Sequence, residues 1–198
     1  AIVSQAYGGG LGANELLDEA EGRIFQISQF QKVEGFHRLK EMLWPTMERI
    51  ETLQRSGKAI TGVPSGFLDL DSLTSGFQNS ELVVVAARPS MGKTAFCLNI
   101  AANAAGEGQG VAIFSLEMSK DSLVQRMLCS EAQIDSQAVR QGRIKDSDYP
   151  KLARASGVLQ QCPIWIDDSP SLTLLEMRGK ARRLRVEANV GLIIVDYL

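Results

Sequence analysis

The sequence predicts an α/β protein built on a mainly parallel sheet. Two observations predict this class: short apolar runs alternate with helix-like stretches, and one apolar run leads directly into a Gly-Lys-Thr loop. The expected helices cover about 93–105, 119–132, 136–143, 147–160 and 173–187. The expected strands cover 82–86, 111–115, 163–167 and 192–196. Apolar strands of this length, alternating with helices, favour a parallel sheet covered on both faces.

The loop after the first expected strand reads Ala87-Arg88-Pro89-Ser90-Met91-Gly92-Lys93-Thr94. It matches the Walker A pattern GxxxxGK[ST], except that Ala87 stands at the first glycine position. Backbone N–H groups of such a loop, together with the following helix N-terminus, bind phosphate oxygens. Lys93 is expected to neutralise the β- and γ-phosphates and Thr94 to ligate Mg²⁺. A chance Gly-Lys-Thr turn is disfavoured by the strand before it and the helix after it.

Two carboxylates follow expected strands and could complete an ATP site. Glu117 follows strand 111–115, where it could orient and deprotonate a water molecule, or could merely complement the dipole of the next helix. Asp196 ends the run Leu192-Ile193-Ile194-Val195 and has the Walker B arrangement for holding Mg²⁺. Asp167 and Asp168 follow a similar run, so the sequence favours Asp196 without settling the choice.

Composition limits the function classes. With 198 residues, a net charge of −2 and a pI near 5.5, the chain lacks the basic footprint of a lone nucleic-acid binder. A basic run on the last expected helix is more consistent with a solvated face than with DNA contact (Arg178, Lys180, Arg182, Arg183, Arg185). The three cysteines have neither disulfide nor metal-ligand spacing. No signal peptide or membrane span is evident, so we expect a cytoplasmic protein.

The chain divides into three expected regions. Residues 1–13 are rich in glycine and predict a flexible linker. Residues 14–57 predict a helical linker or interaction region, with one helix over 14–29 and a second over about 36–56 that Pro45 kinks or divides. Residues 58–198 predict the start of an ATPase domain, in which the turn-rich segment 61–81 forms a cap on the core.

Four motifs together resemble one family. They are Thr61-Gly62-Val63-Pro64-Ser65-Gly66-Phe67 with Leu70-Asp71, the Walker A loop, Ser115-Leu116-Glu117-Met118, and Val195-Asp196-Tyr197-Leu198. The chain resembles the bacterial replicative DnaB-type helicases over about residues 14–198. Ala87 is common at its position in that family.

The resemblance implies a RecA-like fold and a hexameric ring that moves on single-stranded DNA using ATP. It implies that Glu117 is the catalytic carboxylate and that helix 14–29 packs on the neighbouring subunit. Primase and a helicase loader are the implied partners. It also implies that the chain is a fragment, a linker plus the first half of the motor, because the family's arginine finger and DNA-binding loops would follow residue 198.

Two other interpretations stay open. The chain could come from another RecA-like ATPase, of the strand-exchange or clock type, although the Ser-Leu-Glu-Met stretch disfavours this. Alternatively, the polypeptide could be a non-catalytic oligomerisation or interaction module.

Overall fold

The structure, a computed structural model, describes residues 36–196. It divides the chain into two compact units, residues 1–57 and residues 58–198. The predicted linker 1–13 and helix 14–29 lie outside the described residues.

The first unit contains helix α1, Leu39–Ser56. Pro45 lies inside this helix, so the predicted alternative of a division at the proline is wrong. A proline removes one backbone donor from the helix, and this loss is tolerable here because α1 is exposed along its whole length. The helix ends at Gly57, which adopts the left-handed conformation with φ of 60° that favours glycine at this position.

The second unit is built on a three-stranded parallel sheet in the order β2-β1-β3. The strands are β1 (Gly110–Ser115), β2 (Ile164–Asp167) and β3 (Val190–Asp196). Its helices are α2 (Leu68–Thr74), α3 (Lys93–Gly106), α4 (Lys120–Ala132), α5 (Ser136–Arg140), α6 (Tyr149–Leu159) and α7 (Leu174–Ala188). Helix α5 stops earlier than predicted, since Gly142 turns the chain with a φ of 68°. A short 3₁₀ turn, Asp146–Asp148, precedes α6.

Two apolar clusters cover the two faces of the sheet. One joins Val111 and Ile113 of β1 to Leu98 of α3 and Leu123 of α4. The other joins Ala112 and Phe114 of β1 to helix α7. Alternate residues of β1 therefore enter opposite clusters, and all six of its residues are buried. The predicted two-sided α/β architecture is confirmed.

Residues 82–86 do not form the predicted strand. In the part of the chain that the structure describes, they have no β-sheet partner, and Leu82 and Val84 are 90% and 79% exposed. A strand exists only through hydrogen bonds to a neighbour, so an apolar, β-branched sequence is insufficient by itself. These residues and β3 instead line one open cleft.

Segment 61–77 supplies the predicted cap on the core. Val63 and Phe77 form an isolated antiparallel bridge, and the Val63 side chain enters the cluster around Leu98. Helix α2 was not predicted, because a seven-residue helix gives too little periodicity to recognise.

Candidate nucleotide-binding site

The Walker A segment forms an exposed loop that ends at the N-terminus of α3. The Met91 N–H donates to the Arg88 carbonyl at 3.2 Å, and both Ser90 and Gly92 have positive φ, 64° and 90°. Left-handed residues that alternate with ordinary ones direct backbone N–H groups toward a common concavity. Gly92 is also the N-cap of α3, so the positive end of that helix opens at the same point.

Lys93 and Thr94 meet Asp196 at this loop. The Thr94 Oγ donates to Asp196 Oδ2 at 2.7 Å, and Lys93 Nζ lies 3.0 Å from Asp196 Oδ1. Asp196 ends β3 and is only 4% exposed. The topology of the sheet therefore brings the Asp196 carboxylate, at the end of β3, to the first turn of α3.

The electrostatics of this group are dominated by the Lys93–Asp196 pair. The hydrogen bond to Asp196 raises the pKa of Lys93 above its ordinary value, and the nearby negative charge of Glu117 acts in the same direction. Lys93 therefore remains a cation across the neutral range.

Glu117 lies in a tight turn beyond the carboxyl end of β1. The Ser115 hydroxyl accepts from the Met118 N–H at 3.2 Å and donates to the Met118 carbonyl at 2.8 Å. The Leu116 N–H donates to the backbone carbonyl of Asp196 at 2.8 Å. These bonds fix the turn against the end of β3 while the Glu117 side chain remains exposed.

The competing carboxylates at the end of β2 have local partners. Asp167 accepts from Lys180 Nζ at 2.6 Å, and Asp168 accepts from the Lys120 N–H at 2.9 Å, at the start of α4. Burial alone would raise the pKa of Asp167, but its hydrogen bonds with Lys180 and Ser169 lower it to about 2. These contacts give both aspartates a structural role away from the Walker loop.

The basic run on α7 also has local partners. Lys180 pairs with Asp167, Arg183 with Glu187 at 2.9 Å, and Arg185 donates to the Val190 carbonyl at 3.0 Å. Arg178 and Arg182 are engaged in interactions as well. Lys180 thus links α7 to the end of β2, and Arg185 links it to the start of β3.

The Thr-Gly-Val-Pro-Ser-Gly-Phe motif supports α3 from the side. The buried carboxylate of Asp71 accepts from the Ser65 and Gly66 N–H groups at 2.8 and 3.0 Å. Asn103, on α3, donates to the Ser65 carbonyl at 3.0 Å. The rings of Phe67 and Phe96 lie 5.0 Å apart, two residues beyond Thr94. The motif is therefore a brace for the helix that carries the loop.

A cleft of about 1320 Å³ adjoins the loop. It is lined by residues 82–90, by residues 191–196 of β3, and by Lys93, Glu117 and Arg126. Arg126 was not among the site residues predicted from the sequence. The sequence feature that could have indicated Arg126 is its position between the apolar residues Leu123 and Met127, both of which are buried in α4.

Comparison with known proteins identifies the family. Residues 62–198 match the family model described as the DnaB-like helicase C terminal domain. The chain belongs to this family. It is thereby separated from strand-exchange and clock-type ATPases, which were one of the two alternatives left by the sequence.

Curated relatives agree with this assignment. The chain is 49% identical over 184 residues to the replicative DNA helicase DnaB of Geobacillus stearothermophilus, covering 92% of this chain and 40% of that protein. It is 46% identical to the replicative DNA helicase DnaC of Bacillus subtilis, covering 93% of this chain and 41% of that protein. The chain thus spans about two fifths of the length of these relatives.

Solved structures show the same fold. One of them, described as an ATPase domain, superposes with a TM-score of 0.74 at 33% identity, covering 83% of this chain and 58% of that one. A DnaB-like replicative helicase, studied with its interactions with primase, gives a TM-score of 0.81 at 30% identity, covering 99% of this chain and 44% of that one. The predicted RecA-like class is confirmed by these neighbours. Among the described residues, no helix is long and apolar enough to cross a membrane.

Proposed function

We propose that the chain binds ATP with Mg²⁺ at the loop Arg88-Pro89-Ser90-Met91-Gly92-Lys93-Thr94. The observation that carries this proposal is the meeting of Lys93, Thr94 and Asp196 at the N-terminus of α3. A cation, a hydroxyl and a buried carboxylate are the groups that a magnesium-bound triphosphate requires.

The donor set fits Mg²⁺ better than other metals. Within residues 36–196, no group of three or more His, Cys, Asp or Glu side chains could hold a metal ion. Mg²⁺ needs few protein ligands, since it keeps water molecules and binds substrate phosphates. The Thr94 hydroxyl and the Asp196 carboxylate are the oxygen ligands that the site offers. When bound, the ion would neutralise charge that develops on the phosphates.

Each side chain then has a distinct role. Lys93 leaves Asp196 and binds the β- and γ-phosphates, because a charged phosphate oxygen competes for the same ammonium group. The exposed backbone of the loop donates to the remaining phosphate oxygens. Glu117, held beyond β1 by the Ser115 turn, orients the attacking water and accepts its proton.

The test is an equilibrium titration of this chain with a fluorescent ATP analogue in the presence of Mg²⁺. Lys93→Ala should weaken binding by at least about tenfold, the effect of losing one charge-assisted phosphate contact. Lys145→Ala is the matched control, because Lys145 is exposed and lies outside the cleft. Equal binding by the two variants would remove the assignment, and the non-catalytic interaction module would then be the better interpretation.

We further propose that the whole protein is a replicative DNA helicase in the cytoplasm. The names of its curated relatives support this activity. A hexameric ring, single-stranded DNA, primase and a helicase loader are the partners that follow from the family. Self-association is supported by α1, whose apolar residues Leu43, Met47 and Ile50 are each about half exposed in the first unit.

A further inference from the structure

Arg126 has an uncompensated donor in the wall of the cleft. Its Nε is buried and has no hydrogen-bond partner among the described residues. Arg126 also forms no ion pair within residues 36–196, whereas Lys93, which lines the same cleft, is paired with Asp196. Buried guanidinium N–H groups are normally satisfied, so this donor marks a place for an acceptor.

The packing of α3 against α4 shows where the guanidinium is directed. Both helices start at the carboxyl edge of the sheet, α3 beside Asp196 and α4 just after the turn that follows β1, so they run side by side in the same direction. The Ser130 Oγ donates to Asn99 Oδ1 at 3.1 Å and fixes their register. One turn nearer both N-termini, Arg126 is level with Ala95, directly after Thr94.

The usual direction of a long side chain on a helix brings the Arg126 guanidinium closer to the Walker loop. Such side chains lean toward the N-terminus of their own helix, which on α4 is the end facing the Walker loop and Glu117. Glu117, Lys93 and Arg126 line the same cleft. The guanidinium therefore lies on the α4 side of the cleft, where Glu117 would activate water toward the terminal phosphate.

We propose that Arg126 binds the terminal phosphate of the nucleotide and lets the site distinguish a triphosphate from a diphosphate. This inference rests on the proposed ATP site. A guanidinium is suited to the role because its planar donors match phosphate oxygens in pairs, and it remains charged at any physiological pH. Lys93 would contact the phosphates from the loop, and Arg126 would contact the last phosphate from α4.

The test compares Mg²⁺-dependent binding of ADP and of a non-hydrolysable ATP analogue by this chain. Arg126→Gln should weaken the triphosphate analogue by at least about tenfold, as for one charge-assisted hydrogen bond, while ADP affinity matches that of the control. Arg154→Gln on α6 is the matched control, because Arg154 is exposed and lies outside the cleft. Arg126→Lys should fall between, since it keeps the charge but loses Nε.

Two results would overturn the inference. One is an unchanged preference for the triphosphate in Arg126→Gln, and the other is an equal loss of both nucleotides. If Arg126→Gln does not fold, as judged by circular dichroism, the same comparison on Arg126→Lys decides the question. A wild-type chain that binds neither nucleotide would contradict the ATP site itself, a result distinct from failure of Arg126 alone.

Discussion

The Thr94 hydroxyl donates a 2.7 Å hydrogen bond to the Asp196 carboxylate, joining residues 102 positions apart in the chain. The same carboxylate pairs with Lys93 at 3.0 Å. Asp196 therefore holds two groups that the nucleotide and its metal are proposed to bind. Because Asp196 competes with the nucleotide for Lys93, the negative charge of Asp196 should affect nucleotide affinity directly.

We expect Asp196→Asn to change how binding depends on Mg²⁺. The amide keeps the size of the side chain but no longer holds Lys93 by charge, so affinity for ATP in EDTA should rise. The enhancement by Mg²⁺ should fall by roughly tenfold, because a neutral amide is a poor ligand for this ion. Titrations with and without Mg²⁺ measure both effects. Asp168→Asn is the control, since Asp168 caps α4 instead, and a wild-type Mg²⁺ dependence in Asp196→Asn would contradict the metal assignment.

We expect Glu117→Gln to separate binding from hydrolysis. A glutamine preserves the size of the side chain but cannot accept a proton, so turnover should drop at least about a hundredfold with nucleotide affinity retained. Steady-state ATPase assays on a protein that carries the whole helicase domain measure the rate. Glu107→Gln, on the exposed end of α3, is the control. Near-normal turnover in Glu117→Gln would leave that residue as a helix-start carboxylate.

We expect Asp71→Asn to destabilise the brace beside α3. Its carboxylate accepts two backbone N–H groups, and an amide satisfies only part of this pair, so unfolding free energy should fall by about 1–3 kcal/mol. Chemical denaturation measures the loss. Asp69→Asn is the control, because Asp69 is exposed on the same helix.

The loss in Asp71→Asn should also depend on pH. Burial alone would raise the pKa of Asp71, but the hydrogen bonds from Ser65 and Gly66 lower it below its ordinary value of 3.8. A lowered pKa stabilises the fold above the ordinary value, and the contribution disappears as the pH falls through the lowered one. The difference between wild type and Asp71→Asn should therefore be constant near neutrality and shrink below pH 3.8. A difference that grows in acid would contradict this account.

We expect Leu17→Asp with Ile24→Asp to disrupt the assembly of the chain. Leu17 and Ile24 fall on one apolar face of the predicted helix 14–29, together with Leu16, Ala20 and Ile27. Burying each large apolar side chain is worth about 1.5–3 kcal/mol. Light scattering should show a smaller mass while each subunit still binds nucleotide. Gln26→Asp with Gln29→Asp adds the same charge on the opposite face of the predicted helix as a control. An unchanged mass in the first variant would show that this helix is not the link between subunits.

The sequence allowed us to predict which candidate site residues lie together where the topology of a parallel sheet determines the neighbours. Carboxyl ends of parallel strands share one edge, and this rule brings Asp196 and the Glu117 turn to the Walker loop. The same rule left Asp168 as a rival, since it also follows a strand. The two differ in their contacts, because Asp196 contacts Thr94 and Lys93 whereas Asp168 accepts from the Lys120 N–H, and such contacts have no sequence signature.

The wrong prediction of a strand at 82–86 and the omission of Arg126 also have physical causes. The run 82–86 has ideal strand composition, but β structure depends on a partner that a single segment cannot reveal. Arg126 was overlooked because charge on a helix normally indicates solvent. Its position between Leu123 and Met127 becomes meaningful only once α4 is known to pack on the sheet.

Within residues 36–196, the packing that anchors the Walker loop to the core lies on its C-terminal side. Helix α3 ties its far end into the core through Leu98 and Ala101, whereas the preceding residues 82–86 have no β partner within the described chain. Amide exchange should consequently be slow along the middle of α3 and fast before Ala87. A segment that paired with 82–86, or with the edge of β3 opposite β1, would stiffen the loop from its N-terminal side. Nucleotide affinity in this protein should therefore be adjustable from a position that touches no phosphate.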